Sequence, residues 1–147
     1  MAITQAIANS FKKQLLDGDH DFTAAPSGDI FKIALYTSSA TLNSATTSFT
    51  TGNQVPNSGQ YTSGGGALVN LATSITAGVA RVDFADRSFT GVTITARGAL
   101  IYNTSSAVTN ASVCVLDFGG DKTATSGVFT IQFPAQTSTA AILRISG

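Results

Sequence analysis

The sequence predicts an all-β domain, an antiparallel sandwich or barrel with one short helix in front of it. Three observations lead there. From residue 30 onward the apolar residues fall into short runs, the clearest alternating at the period of two that a strand requires. Clusters of Ser, Thr, Asn, Gly and Pro interrupt these runs at short intervals. Nothing helical separates one run from the next, which excludes parallel βαβ architecture.

Composition agrees. Charged residues make up 11% of the chain and there is no Glu and no Trp, against roughly 25% charged residues in an average domain. Polar surface therefore comes from Ser, Thr, Asn and Gly, and Thr favours a pleated sheet because its branched Cβ fits there. The 147 residues fit one domain, 1–147. Such a chain buries roughly 68–70% of the surface its unfolded form exposes, enough for a core without metals or disulfides.

The elements follow in order. Ile3, Ile7, Phe11 and Leu15 recur every four residues, so residues 1–18 read as a helix with Thr4 as cap and Gly18 as its stop. Lys12 and Lys13 stand near its C-terminal end, where positive charge suits the helix dipole. After Pro26-Ser27-Gly28-Asp29 the period drops to two, and Ile30 to Thr37 reads as a strand. Residues 38–66 form a long polar loop, an excursion from the domain, with a short strand expected around Ser48 to Thr51. Further strands are expected at Ala67–Ala72, Val79–Phe84, Val92–Ala96, Ala99–Tyr102, Val113–Phe118, Val128–Phe133 and Ala141–Ile145. Turn signals stand between them at Thr73-Ser74, Arg87-Ser88, Asn103 to Asn110, Gly119-Gly120-Asp121, Ser126-Gly127 and Pro134.

Reactive chemistry finds little to work with. Asp17, Asp19 and Asp21 alternate like the start of a calcium loop, but Phe22 replaces the turn glycine and Gly28 the bidentate Glu. The segment reads as a solvated loop, and no metal or cofactor is expected. His20 is the one histidine and Cys114 the one cysteine, so neither zinc ligation nor a disulfide can be assembled. Cys114 lies in an apolar run and reads as a core residue. No G-x-S-x-G elbow accompanies the many serines. Gly64-Gly65-Gly66 lacks the Gly-Lys-Ser/Thr ending of a phosphate loop, and Gly119-Gly120-Asp121-Lys122 reads as a hairpin turn. Arg81, Asp83, Asp86 and Arg87, and the smaller group Asp117, Asp121 and Lys122, read as salt-bridged strand edges or turns. The chain is not expected to be an enzyme.

Partners follow from charge. Eight basic and eight acidic residues cancel, with no basic stripe for phosphates, so nucleic acid is not an expected partner. No run approaches the roughly 18 apolar residues of a membrane span, and the opening residues lack the apolar centre of a signal peptide. Membrane association is not expected, and synthesis and assembly in a cytoplasm are. A net charge near zero removes the repulsion that keeps monomers apart, which suits a dense assembly.

Four blocks carry a resemblance: MAITQAIANSFKKQLLDGDHDF, FKIALYTSSATLNSATTSF, ARGALIYN and VLDFGGDKTATSGVFTIQFP. Together they cover most of the chain and resemble a family of small structural proteins of tailed bacteriophages. Within it, the chain is similar to the jelly-roll capsid cement (decoration) proteins of Bordetella-type podophages. The resemblance implies a jelly-roll-like β-sandwich on the exterior of a virion, bridging capsomers of an HK97-like shell. It implies the major capsid protein as partner and the chain itself as a homo-oligomer. Ile3, Ile7 and Phe11 are the candidate capsid or subunit contacts, although the same residues would equally cover the end of the chain's own sandwich. Two other readings stay open: a tail-tube, tail-fibre or head–tail joining subunit, and a carbohydrate-binding module stacking sugars on Tyr36, Tyr61 and Tyr102.

Overall fold

The structure, a computed structural model, describes residues 2–137 and 139–147. Its strands are β1 (Ala6–Ile7), β2 (Phe31–Tyr36), β3 (Gly66–Ala67), β4 (Ser74–Thr76), β5 (Val79–Val82), β6 (Arg87–Asn103), β7 (Ala111–Ile131) and β8 (Leu143–Ile145), with helix α1 at Asn9–Asp17. They form a five-stranded sheet in the order β1-β7-β6-β2-β3 and a three-stranded sheet in the order β4-β5-β8. Every pairing between these strands is antiparallel. The chain is thus all-β with one short helix among the described residues; its strand order alone does not establish jelly-roll connectivity.

The frame is one long hairpin. β6 and β7 pair from Arg87↔Ile131 to Asn103↔Ala111, with register shifts along the way. Four expected strands are therefore two. The glycines read as turns are bulges: between the Gly98↔Asp117 and Ala96↔Lys122 pairs, β7 carries Phe118–Asp121 where β6 has only Arg97. Gly119 (φ 77°), Ser126 (φ 45°) and Gly91 (φ 63°) adopt the left-handed region at such places. A bulge inserts residues into one strand and bends it, so it needs the same residue types as a turn. Arg87-Ser88 likewise lies inside β6, and the hairpin turns only between Asn103 and Ala111.

The central strands are buried on both faces. In β2, Phe31, Ile33 and Leu35 join the main core with Ala99, Ile101 and Val113. Ala34 and Tyr36 point the other way, into a second cluster with Leu100, Tyr102 and Val115. Successive side chains alternate across a sheet, so a strand apolar at nearly every position needs a cover on each side. The second cover is the 38–66 segment together with the N-terminal arm. Ala40 and Leu42 are buried there, and the Phe49 ring stacks on Tyr102 with centroids 4.8 Å apart, while Val55 and Tyr61 of the same segment reach into the main core. This segment is part of the packing and not an excursion from it. The strand expected at 48–51 is a single bridge, Ser48↔Ala111.

The N-terminal helix is shorter than the apolar spacing suggests. Ala8 occupies the N-cap position with extended backbone and no side-chain cap, so Thr4 is not the cap. The described residues before it pair with the sheet and the loop. Ile3 bridges Leu42, and Ala6 and Ile7 pair with Val115 and Cys114. A spacing of four is also a multiple of two, so Ile3 and Ile7 fit a strand as well as a helix, and sheet edges supply hydrogen-bond partners that a lone helical turn lacks. Gly18 does end the helix, at φ 81°, with Gly18 N–H donating to Leu15 O and Asp19 N–H to Gln14 O. Lys13 pairs with Asp17 one turn on.

The small sheet begins where a turn was expected. β4 includes Ser74, and the real turn is Ala77-Gly78, at φ 52° and 76°, a two-residue hairpin of the kind that matches strand twist. β5 stops at Val82 and β8 starts at Leu143, both shorter than the apolar runs around them. The strand expected at Ala67–Ala72 is reduced to Gly66–Ala67.

Candidate docking groove

Helix α1 and the small sheet stand apart and leave an open apolar groove between them, of about 520 Å³. Phe11, Leu15 and Leu16 come from the helix side and Phe22 from the loop that follows it. The opposite wall follows from the pleat. Ala80 is in register with Ile75 and Ile145, and Val82 with Leu143, so these residues share one face of the small sheet. Arg81, one residue out of phase, is turned to the other face, where its guanidinium donates to Ser74 Oγ at 2.8 Å and Thr76 Oγ1 at 3.0 Å. The groove is consequently mainly apolar, with Lys12, Arg81 and Arg144 also contributing to its lining.

Its rim is exposed. Leu16 is 89%, Ile75 71% and Ile145 60% accessible to solvent. Isolated exposed aliphatics are ordinary, but a cluster around a concave apolar surface marks an interaction site. A second cavity of about 510 Å³ lies on the far side of Ile7, along Cys114, Leu116, Phe118 and Ile142.

Of the three sequence candidates, the fold brings Ile7 and Phe11 together at the groove. Phe11 forms its floor, buried against His20 and Phe22 with ring centroids 4.8 and 5.9 Å away. Ile7, half-exposed, stands between the two cavities. Ile3 is elsewhere, buried in the second cluster. Leu16, Ile75 and Ile145 were not legible as candidates. Leu16 lies off the apolar stripe, and Ile75 falls between the turn signal at Thr73-Ser74 and the strand expected from Val79.

Other sequence candidates resolve into structural roles. Asp21 caps its own loop, its Oδ1 accepting from the Thr23 hydroxyl and from Thr23 N–H at 2.9 Å, which lower its pKa in that order. Among the described residues no group of three or more His, Cys, Asp or Glu is placed to hold a metal. Asp83 and Asp86 accept backbone N–H groups, from Phe84 and Phe133, and Arg87 lies over the Phe89 ring at 4.8 Å. That cluster contains no ion pair among the described residues, contrary to the expected salt-bridged edge. The carboxylates fold back onto the chain's own backbone because turn N–H groups there would otherwise go unmet. Arg97 and Asp117 do pair, at 3.1 Å. Gly64 accepts from the Tyr102 hydroxyl at 2.6 Å, and Gly66 pairs with Ile33, so the glycine triplet serves the sheet.

The three tyrosines cannot stack on sugars. Tyr36, Tyr61 and Tyr102 are buried, with hydroxyls bonded to Thr50 O, to Leu35 and Gln54, and to Gly64 O. Burial pushes the Tyr102 hydroxyl up to about 12, and the Cys114 thiol up to about 12 as well.

His20 lies behind the groove, stacked near Phe22 and Phe31 and tilted by 53° to the Phe11 ring. Its Nε2 is 2.9 Å from Gln14 Oε1, and its Nδ1 is 2.9 Å from Asn103 Nδ2. Asn103 Nδ2 also donates to Asp29 Oδ2 at 2.7 Å. This buried network ties α1, the 19–30 loop and the end of β6 together. No family model, no curated protein and no solved structure matches the chain.

Proposed function

We propose that the chain is a structural subunit of a tailed-phage particle, a cement protein that seats on the outside of the shell and bridges neighbouring capsomers. One observation carries the docking part of this reading: the apolar groove between α1 and the small sheet, rimmed by Leu16, Ile75 and Ile145. The virion setting is supported by the phage-like sequence blocks. The occupant is an apolar segment of the major capsid protein. Each rim residue buried by it contributes up to about 1.5–3 kcal/mol towards offsetting the cost of association. Zero net charge lets the protein approach a crowded surface without long-range repulsion. Contacts to two capsomers at once, through one chain or through a homo-oligomer, multiply the effective affinity without new chemistry.

The test is co-sedimentation with purified empty shells at neutral pH. The wild-type chain is expected to bind to saturation. Leu16→Asp with Ile75→Asp, both changes at exposed positions, should leave the fold intact and abolish binding. A wild-type chain that fails to bind shells sinks the cement reading. Binding to isolated tails in its place assigns the chain to another part of the virion.

A further inference from the structure

The hydrogen bonds around His20 fix its protonation state. Asn103 Oδ1 accepts the backbone N–H groups of Ser105 at 2.8 Å and Ser106 at 3.2 Å. That contact sets the amide orientation, so the Asn103 NH₂ group faces the His20 ring and Asp29. An NH₂ group can only donate. His20 Nδ1 must therefore accept, and the ring proton resides on Nε2, where it donates to Gln14 Oε1 on α1. The neutral ring satisfies every partner. The imidazolium does not, because its Nδ1–H would meet the Asn103 NH₂ head-on. Turning the Asn103 amide over gives no escape, since its NH₂ would then face two backbone N–H groups and its oxygen would face the Asp29 carboxylate.

We infer that His20 is a pH-operated latch on the groove: protonation releases α1 from the sheet and takes down the groove's helix side, its floor Phe11 and its wall Leu15 and Leu16. This regulation rests on the docking reading for its meaning, although the latch itself is measurable with no partner present. The charged groups acting on the ring are Asp29, through Asn103, and Asp19, both favouring the imidazolium. From α1 the ring meets Phe11 and Gln14, from β2 Phe31, and from its own loop Phe22, none of them charged. Burial outweighs the two carboxylates and holds the His20 pKa below its ordinary value.

A histidine with a depressed native pKa leaves stability untouched above about pH 6.5, where it is neutral in both the closed and the released state. Below that value the released state binds the proton first, and the closed state loses ground until its own pKa is reached. Opening should therefore increase by up to about tenfold per pH unit below about 6.5.

The experiment is amide hydrogen exchange of the full chain between about pH 7.5 and pH 5, corrected for intrinsic exchange, with a parallel NMR titration of the ring. His20 is the sole histidine, so its ring signals need no assignment. The amides of α1, Ser105 and Ser106 are expected to speed up below pH 6.5, while those of β2 and β6 hold. His20→Gln, a neutral amide that can accept from Asn103 and donate to Gln14, should make α1 exchange independent of pH. If that variant fails to fold, the wild-type ring titration still decides. A ring pKa at or above 6.5 overturns the latch, as does unchanged α1 exchange, or loss of protection in α1 and the sheet together. Shell binding is scored at pH 7.5, with the latch closed, so failure there sinks docking alone, and pH-independent α1 exchange sinks the latch alone.

Discussion

The Leu35 backbone N–H donates to the Tyr61 hydroxyl oxygen at 2.7 Å, across a buried contact between β2 and the long loop. On the same edge Val55 N–H donates to Leu35 O at 2.9 Å. A side chain and one backbone group of the loop thus stand where a neighbouring strand would otherwise satisfy β2. Gln54 Nε2 donates to the same tyrosine oxygen at 2.8 Å. The loop is held to the sheet by hydrogen bonds as well as by its buried Val55 and Tyr61.

Tyr61→Phe should accordingly cost more than its single oxygen suggests. It leaves the Leu35 N–H and the Gln54 amide without an acceptor, at about 1–3 kcal/mol for a buried unmet donor. Tyr36→Phe, which removes only a donor to the partly buried Thr50 carbonyl, should cost about 1 kcal/mol. Urea unfolding midpoints of the two variants measure the difference, and equal midpoints would contradict this account of the loop.

Two glycines with nearly the same backbone angle should respond differently to alanine. Gly65 (φ 80°) is pressed against β2, and an added Cβ would lie 1.8 Å from the Ile33 carbonyl oxygen. Gly119 (φ 77°) has nothing within 4 Å of that position. Gly119→Ala should cost only the left-handed penalty, about 1–2 kcal/mol. Gly65→Ala must also move backbone, and should cost more than about 3 kcal/mol. Thermal unfolding of the two variants compares them directly.

Cys114 should be silent toward thiol reagents in the native chain. With its thiol pushed up to about 12 by burial, only on the order of 10⁻⁴ of it is thiolate at pH 8. Labelling by a disulfide reagent should be complete within minutes in urea and negligible over the same time in buffer. Rapid native labelling would mean that the β1–β7 pairing, which covers Cys114 through Ile7, opens readily.

The all-β class, the antiparallel pairing, the strand at Phe31–Tyr36 and the helix stop at Gly18 were legible in the sequence. Each is a local signal: a period of two, a missing helix between strands, a residue that tolerates φ > 0. Signals with two physical meanings misled. A glycine pair serves a turn or a bulge, so Gly119-Gly120 read as the end of a strand that continues through it. Isoleucines four apart suit a helix or a strand, so the spacing places Ile3 and Ile7 in a helix, whereas the helix starts only at Asn9. Within the groove, Phe11 and Ile7 were visible because they belong to an apolar pattern. Leu16, Ile75 and Ile145 were not, because exposure depends on what lies opposite. Local periodicity dictates where strands form and which of their positions are apolar. Packing sets which face each residue meets: part of loop 38–66 covers the second face of the sheet, α1 stands off from β4–β5–β8, and the lone histidine meets an asparagine 83 positions away. Such contacts join residues far apart in the chain, and no local preference encodes them.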